Sequence, residues 1–117
     1  MAFQLHTREV GRITVLEAVG RLTLTDGHTT LRDLLHVSIS GGAKKFILNL
    51  ARVDFIDSYG IGELARSYSI VRQAGGELKL AAVQQTVLPV LEVSHMHKLF
   101  EVYPAEDAAL HSFAPRA

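Results

Sequence analysis

Asp57-Ser58-Tyr59-Gly60-Ile61-Gly62 is the stretch of this sequence whose residue types and spacing most invite chemistry. An apolar segment, Phe46-Ile47-Leu48-Asn49-Leu50, leads toward it, and Ile61, Leu64, Ala65, Tyr68 and Val71 follow at spacings of three and four. That places the Ser58 hydroxyl at or just before the first turn of a helix. Free N–H groups and the positive end of the helix dipole favour an anion there, and Gly60 and Gly62 spare the space that a phosphate or a partner backbone would need. A phosphoryl group brings about −1.5 to −2 charge at neutral pH. The helix tolerates that charge while a docked partner is repelled, which is how a phospho-switch works. On the six residues alone, Asp57 and Ser58 are equally ordinary helix caps.

Other chemistry is poorly supplied. A hydrolase elbow needs Gly-x-Ser-x-Gly, and Ile56 stands where the first glycine belongs. His6, His28, His36 and His111 are dispersed with no spacing that ties them to Ser58, so no catalytic triad is read. His95-Met96-His97 offers two ligands without a third and reads as a polar turn, not a metal site. We expect no enzyme, no cofactor and no metal.

The elements around this stretch follow from periodicity. Strands are predicted over Phe3 to Glu9 and Arg12 to Val19, too close for an intervening helix and hence an antiparallel hairpin. Thr25-Asp26-Gly27 supplies capping groups for a first helix with Leu31, Leu34, Leu35 and Ile39 at helical spacing, stopped by Gly41-Gly42. The run Phe46 to Leu50 reads as a central strand covered on both faces. The second helix starts near Ser58 and ends at Gly75-Gly76; strand Leu78 to Val83, a short helix through Thr86, Val87, Leu88 and Leu91 with Pro89 in its first turn, and strand Leu99 to Tyr103 come next. Pro104, Glu106 and Asp107 open a last helix with Ala109, Leu110 and Phe113 on its inner face. The order β-β-α-β-α-β-α-β-α predicts an α/β fold, a mixed sheet of four to five strands with helices packed on it.

Composition agrees. At 117 residues and 48% apolar content, one domain spanning 1–117 is expected, with a core of about 3–113 and a loose tail over 114–117. Twelve basic and twelve acidic residues cancel, which argues against nucleic acid and anionic lipid as partners. There is no cysteine, hence no thiol chemistry, and no run approaches the roughly 20 apolar residues of a membrane span. The expectation is a soluble, cytoplasmic protein.

Leu48-Asn49-Leu50, Phe55-Ile56-Asp57-Ser58, Gly60, Gly62 and Gly75-Gly76-Glu77-Leu78-Lys79-Leu80 together resemble a STAS domain, and within that family the bacterial anti-sigma factor antagonists. The resemblance runs from about residue 3 to about residue 113. It implies a partner switch: the unphosphorylated protein binds an anti-sigma factor that is also a serine kinase, freeing a sigma factor. Phosphorylation of the serine after the motif aspartate, here Ser58, releases the antagonist, and a PP2C-type phosphatase resets it. Two positions depart from the family pattern: Tyr59 replaces its usual Ser or Thr, and Thr23 occupies the usual Asp position after Gly20. The partner surface is predicted at Asp57, Ser58, Tyr59, Gly60 and Ile61, with Glu63 and Arg66 at the edge and Thr23 to Asp26 from the neighbouring loop. STAS domains also serve as scaffold subunits of stress-sensing assemblies and as accessory subunits of lipid transporters. A two-component receiver, with Asp57 as acceptor, is disfavoured by the opening hairpin and by the lack of an acidic pair after the first strand.

Overall fold

Ten elements are present in the computed structural model, which describes residues 3–23 and 30–113. Strands β1 (Gln4–Val10) and β2 (Ile13–Leu22) form the expected hairpin, turning at Gly11-Arg12. They are followed by helix α1 (Thr30–Ser40), strand β3 (Lys45–Ile56), helix α2 (Ser58–Gln73) and strand β4 (Glu77–Ala81). Two short helices, α3 (Leu88–Val93) and α4 (Met96–Leu99), precede strand β5 (Val102–Tyr103) and the closing helix α5 (Glu106–Ser112). The tail 114–117 and the capping stretch Thr25-Asp26-Gly27 lie outside the described residues.

The sheet order is β1-β2-β3-β4-β5, with β1 antiparallel to β2 and every other pair parallel. Because β2 to β5 are laid down in one direction, right-handed crossovers send their connecting helices to one face. Phe46, Leu48 and Leu50 of β3 and Leu78 and Leu80 of β4 meet Leu31, Leu35, Leu64, Val71, Leu91 and Phe100 there. The alternate residues Val15, Ile47 and Ala81 point to the opposite face, where α5 covers them with Ala109, Leu110 and Phe113. Two polar clasps hold α5 down. Arg8 reaches both carboxylate oxygens of Glu106, at 2.8 and 2.5 Å, while Asn49 donates to Glu106 at 3.0 Å. Lys79, nearly buried, donates to Ser112 Oγ at 2.7 Å and sits 4.1 Å from the centre of the Phe113 ring.

Helix α2 ends in a Schellman motif: the Gly75 N–H donates to Arg72 O and the Gly76 N–H to Val71 O, with Gly75 at φ +83°. The glycine pair therefore stops the helix through its left-handed backbone.

Four strands differ from expectation by more than one residue, the first being β2, which runs past Val19 to Leu22. Strand β3 runs on to Ile56, well past Leu50, because two register shifts against β2 let Leu50, Val53 and Ile56 all stay buried while strict alternation is lost. Strand β4 stops at Ala81, since Ala82 takes a left-handed φ of +59°. The predicted strand Leu99 to Tyr103 shrinks to Val102–Tyr103. Residues Met96–Leu99 wind into α4 instead, and Phe100 turns inward against the Tyr68 ring with centroids 5.2 Å apart.

Candidate functional site

The site lies where the bulged end of β3 hands over to α2. Asp57 holds an extended backbone (φ −100°, ψ −173°), and its Oδ1 accepts the Gly60 N–H at 2.9 Å. That bond occupies the aspartate as the N-cap of α2 and fixes Ser58 as the first helical residue, exposed to solvent. Gly60 is buried. A Cβ there would stand 2.2 Å from the Leu22 carbonyl oxygen and 2.7 Å from Ile56 Cγ2, so the helix start is pressed onto the end of β2. The space expected to be left for a partner at Gly60 is thus filled by the protein's own backbone, a correction to the sequence reading.

Glu63 is a second correction. Expected at the edge of the partner surface, it is 1% exposed and gathers three donors. Tyr59 Oη and Arg32 Nε reach its Oε1 at 3.1 and 3.2 Å, and Arg66 Nε reaches Oε2 at 3.1 Å. A buried carboxylate needs such partners to offset lost hydration. The effect is to lay the Tyr59 side chain along α2 and to tie α1 to α2. The Arg66 guanidinium lies 6.0 Å from the centre of the Tyr59 ring and beside Gly62, with Nη2 3.3 Å from where a Cβ on residue 62 would be. Arg32 was not singled out from sequence, because its link to Glu63 spans two helices and leaves no local spacing to read.

Ser58 borders an apolar groove of about 450 Å³ between the start of α2 and α3. Ile56 and Ile61 form one wall, and Pro89, Val90 and Val93 form the other. Val93 is 82% exposed, and with Pro89 and Val90 it lines the groove, a contribution of α3 that left no signal in the sequence. Ile61 is half-buried, packing on the main core while also facing the groove. Thr23 is buried just past the end of β2, and Asp26 lies outside the described residues. The rings of His95 and His97 stack 6.2 Å apart, and no group of three or more metal-capable side chains occurs among the described residues. Nor is any described helix long and apolar enough to cross a membrane.

The STAS domain family model matches residues 4–109, nearly the whole of the fold just described. The chain belongs to the STAS domain family. This STAS domain is 25% identical over 115 residues to the anti-sigma F factor antagonist of Paenibacillus polymyxa, covering 94% of each chain. Its fold matches that of an anti-sigma factor antagonist from Mycobacterium paratuberculosis with a TM-score of 0.83 at 18% identity, covering 95% of this chain and 93% of that one. It also matches the phosphorylated form of a Bacillus cell fate determinant, with a TM-score of 0.71 at 23% identity and coverage of 97% and 100%. The sequence-predicted fold class, an α/β mixed sheet, is the one found, with five strands.

Proposed function

We propose that this STAS domain is a non-catalytic, protein-binding switch of the anti-sigma factor antagonist type. In its unphosphorylated form it docks an anti-sigma factor with serine kinase activity and so frees a sigma factor. Phosphorylation of Ser58 ends that complex, and a PP2C-type phosphatase restores it. The observation that carries the reading is the pairing of an exposed serine at the first position of α2 with an apolar groove beside it. A partner seated in the groove covers the hydroxyl, and a phosphate there imposes charge on a dry contact, which is costly unless it is paired. Kinase and antagonist functions then share one surface: the groove is the dock and Ser58 is the substrate.

Two measurements test this. Phosphopeptide mass spectrometry after incubation with the cognate kinase and ATP should find Ser58 modified; modification elsewhere with Ser58 untouched would sink the proposal. Ser58→Asp should weaken kinase binding by at least about tenfold with a melting temperature no lower than that of the parent, and equal affinity of variant and parent would count against it. Affinity capture that recovers a transporter ATPase or a very large particle in place of a small ATP-binding kinase would assign the domain to one of the other STAS roles.

A further inference from the structure

Beyond the switch itself, Arg66 occupies a position that the proposed phosphorylation would exploit. Residue 62 is one turn on from Ser58, on the same helix face, and Cβ bonds in a helix lean toward its N-terminus. Because residue 62 is glycine, the Arg66 guanidinium lies in the space its side chain would fill, with Nη2 at 3.3 Å and Nη1 and Cζ at 3.7 Å from the missing Cβ. The side chain thus runs back along α2 toward Ser58. It is held there from two sides, by Nε donating to the buried Glu63 and by the Tyr59 ring. Among the described residues its Nη groups have no hydrogen-bond partner, and half of the side chain is open to solvent (49%). The formal charges of the cluster are one carboxylate, Glu63, against two guanidiniums, Arg32 and Arg66, an excess of one positive charge. Of the described residues lining the groove on the other side of Ser58, Asp57 alone is charged, and it is engaged as the N-cap.

We infer that Arg66 is a built-in receptor for the phosphate on Ser58: the phosphoryl group folds back onto the Nη groups of Arg66 over Gly62. The inference rests on the phospho-switch reading of Ser58. Guanidinium and phosphate match in geometry and charge, and an arginine already oriented by Glu63 and Tyr59 loses little freedom in making the contact. Tyr59, one of the two departures from the family pattern, acquires a role as the platform that keeps the guanidinium over Gly62. Phosphorylation then does more than add charge. It draws the phosphate and Arg66 into one closed unit beside the groove.

The test installs phosphoserine at position 58 during translation and follows its second ionisation by phosphorus NMR in the parent, Arg66→Gln and Gly62→Leu. The helix start lowers the midpoint in every form, so the decisive quantity is the difference between parent and variants. Both variants should titrate about half a unit to one unit higher than the parent. Phosphorylation should also raise the melting temperature of the parent by more than it raises that of either variant. Gly62→Leu keeps every charge and only displaces the guanidinium, so it carries the test if Arg66→Gln folds poorly. A midpoint in Gly62→Leu equal to that of the parent overturns the inference. Finding Ser58 unmodified in cells would overturn the switch alone, since the titration uses an installed phosphoserine.

Discussion

Asp57, Ser58 and Gly60 lie within four residues, yet each is held by a different force. Asp57 satisfies a free N–H of the first turn, so Asp57→Ala should cost about 1 kcal/mol of folding stability, read from urea denaturation. Ser58 bears no such duty as the first helical residue, which is why a charge can be placed there without unfolding the domain. Gly60 is the opposite case. Any side chain meets the Leu22 carbonyl at 2.2 Å, a backbone atom that cannot swing away, so Gly60→Ala should cost about 3 kcal/mol or more despite better helix propensity. A melting temperature of Gly60→Ala equal to that of the parent would contradict the close packing of α2 on the end of β2. The glycine was legible in the sequence as a special position. Its reason was not, because Leu22 is distant in the chain.

Among the elements, α2 and α3 make the site together. The start of α2 could be read locally from a cap followed by apolar spacing of three and four, and its end from a glycine pair. Gly75→Ala should cost about 1 kcal/mol by forcing a Cβ into a left-handed position at φ +83°. The contribution of α3 was hidden: Val90 and Val93 lie off the face that buries Leu91, and sequence alone does not say that this outer face meets α2 across a groove. Val93→Asp should reduce affinity for the partner by at least about tenfold while leaving the fold unchanged, given the 82% exposure of Val93. Calorimetric titration against the kinase checks it, and undiminished affinity would remove α3 from the dock.

For the whole molecule, the two sheet faces are secured differently. The face carrying α1 to α4 holds the main apolar core, whereas α5 covers a small apolar patch supplemented by two polar clasps, of which Arg8–Glu106 is an ion pair. The hydrogen bond from Arg8 is the main cause holding the Glu106 carboxyl below its usual value of 4.5, with Asn49 adding to it and burial opposing. A lowered carboxyl pKa contributes stability that is fully present above the unfolded value and lost as pH falls through the folded one. The stability difference between parent and Glu106→Gln should therefore be complete at neutral pH and shrink as the solution is acidified below about 4.5. Denaturation curves at several pH values check this, and a difference that persists undiminished in acid would show that the clasp does not depend on charge.

Periodicity, capping residues and glycine stops are local, and they were enough for the hairpin, the bounds of α2, the mixed sheet and the element order except for the additional helix α4. They also placed Ser58 at a helix start, where on local pattern alone it is an ordinary capping residue; the resemblance of the surrounding chain to the STAS family is what singled it out. What depended on tertiary structure was whatever joins residues far apart in the chain: the burial of Glu63 between Arg32 and Arg66, the pressure of Leu22 on Gly60, and the groove that α3 closes beside Ser58. Strand β3 outran its apolar signal for a related reason, since its register shifts are set by pairing with β2. Solvation and steric contact across elements have no period, so only the folded chain decides which charges are buried and which apolar residues are left for a partner.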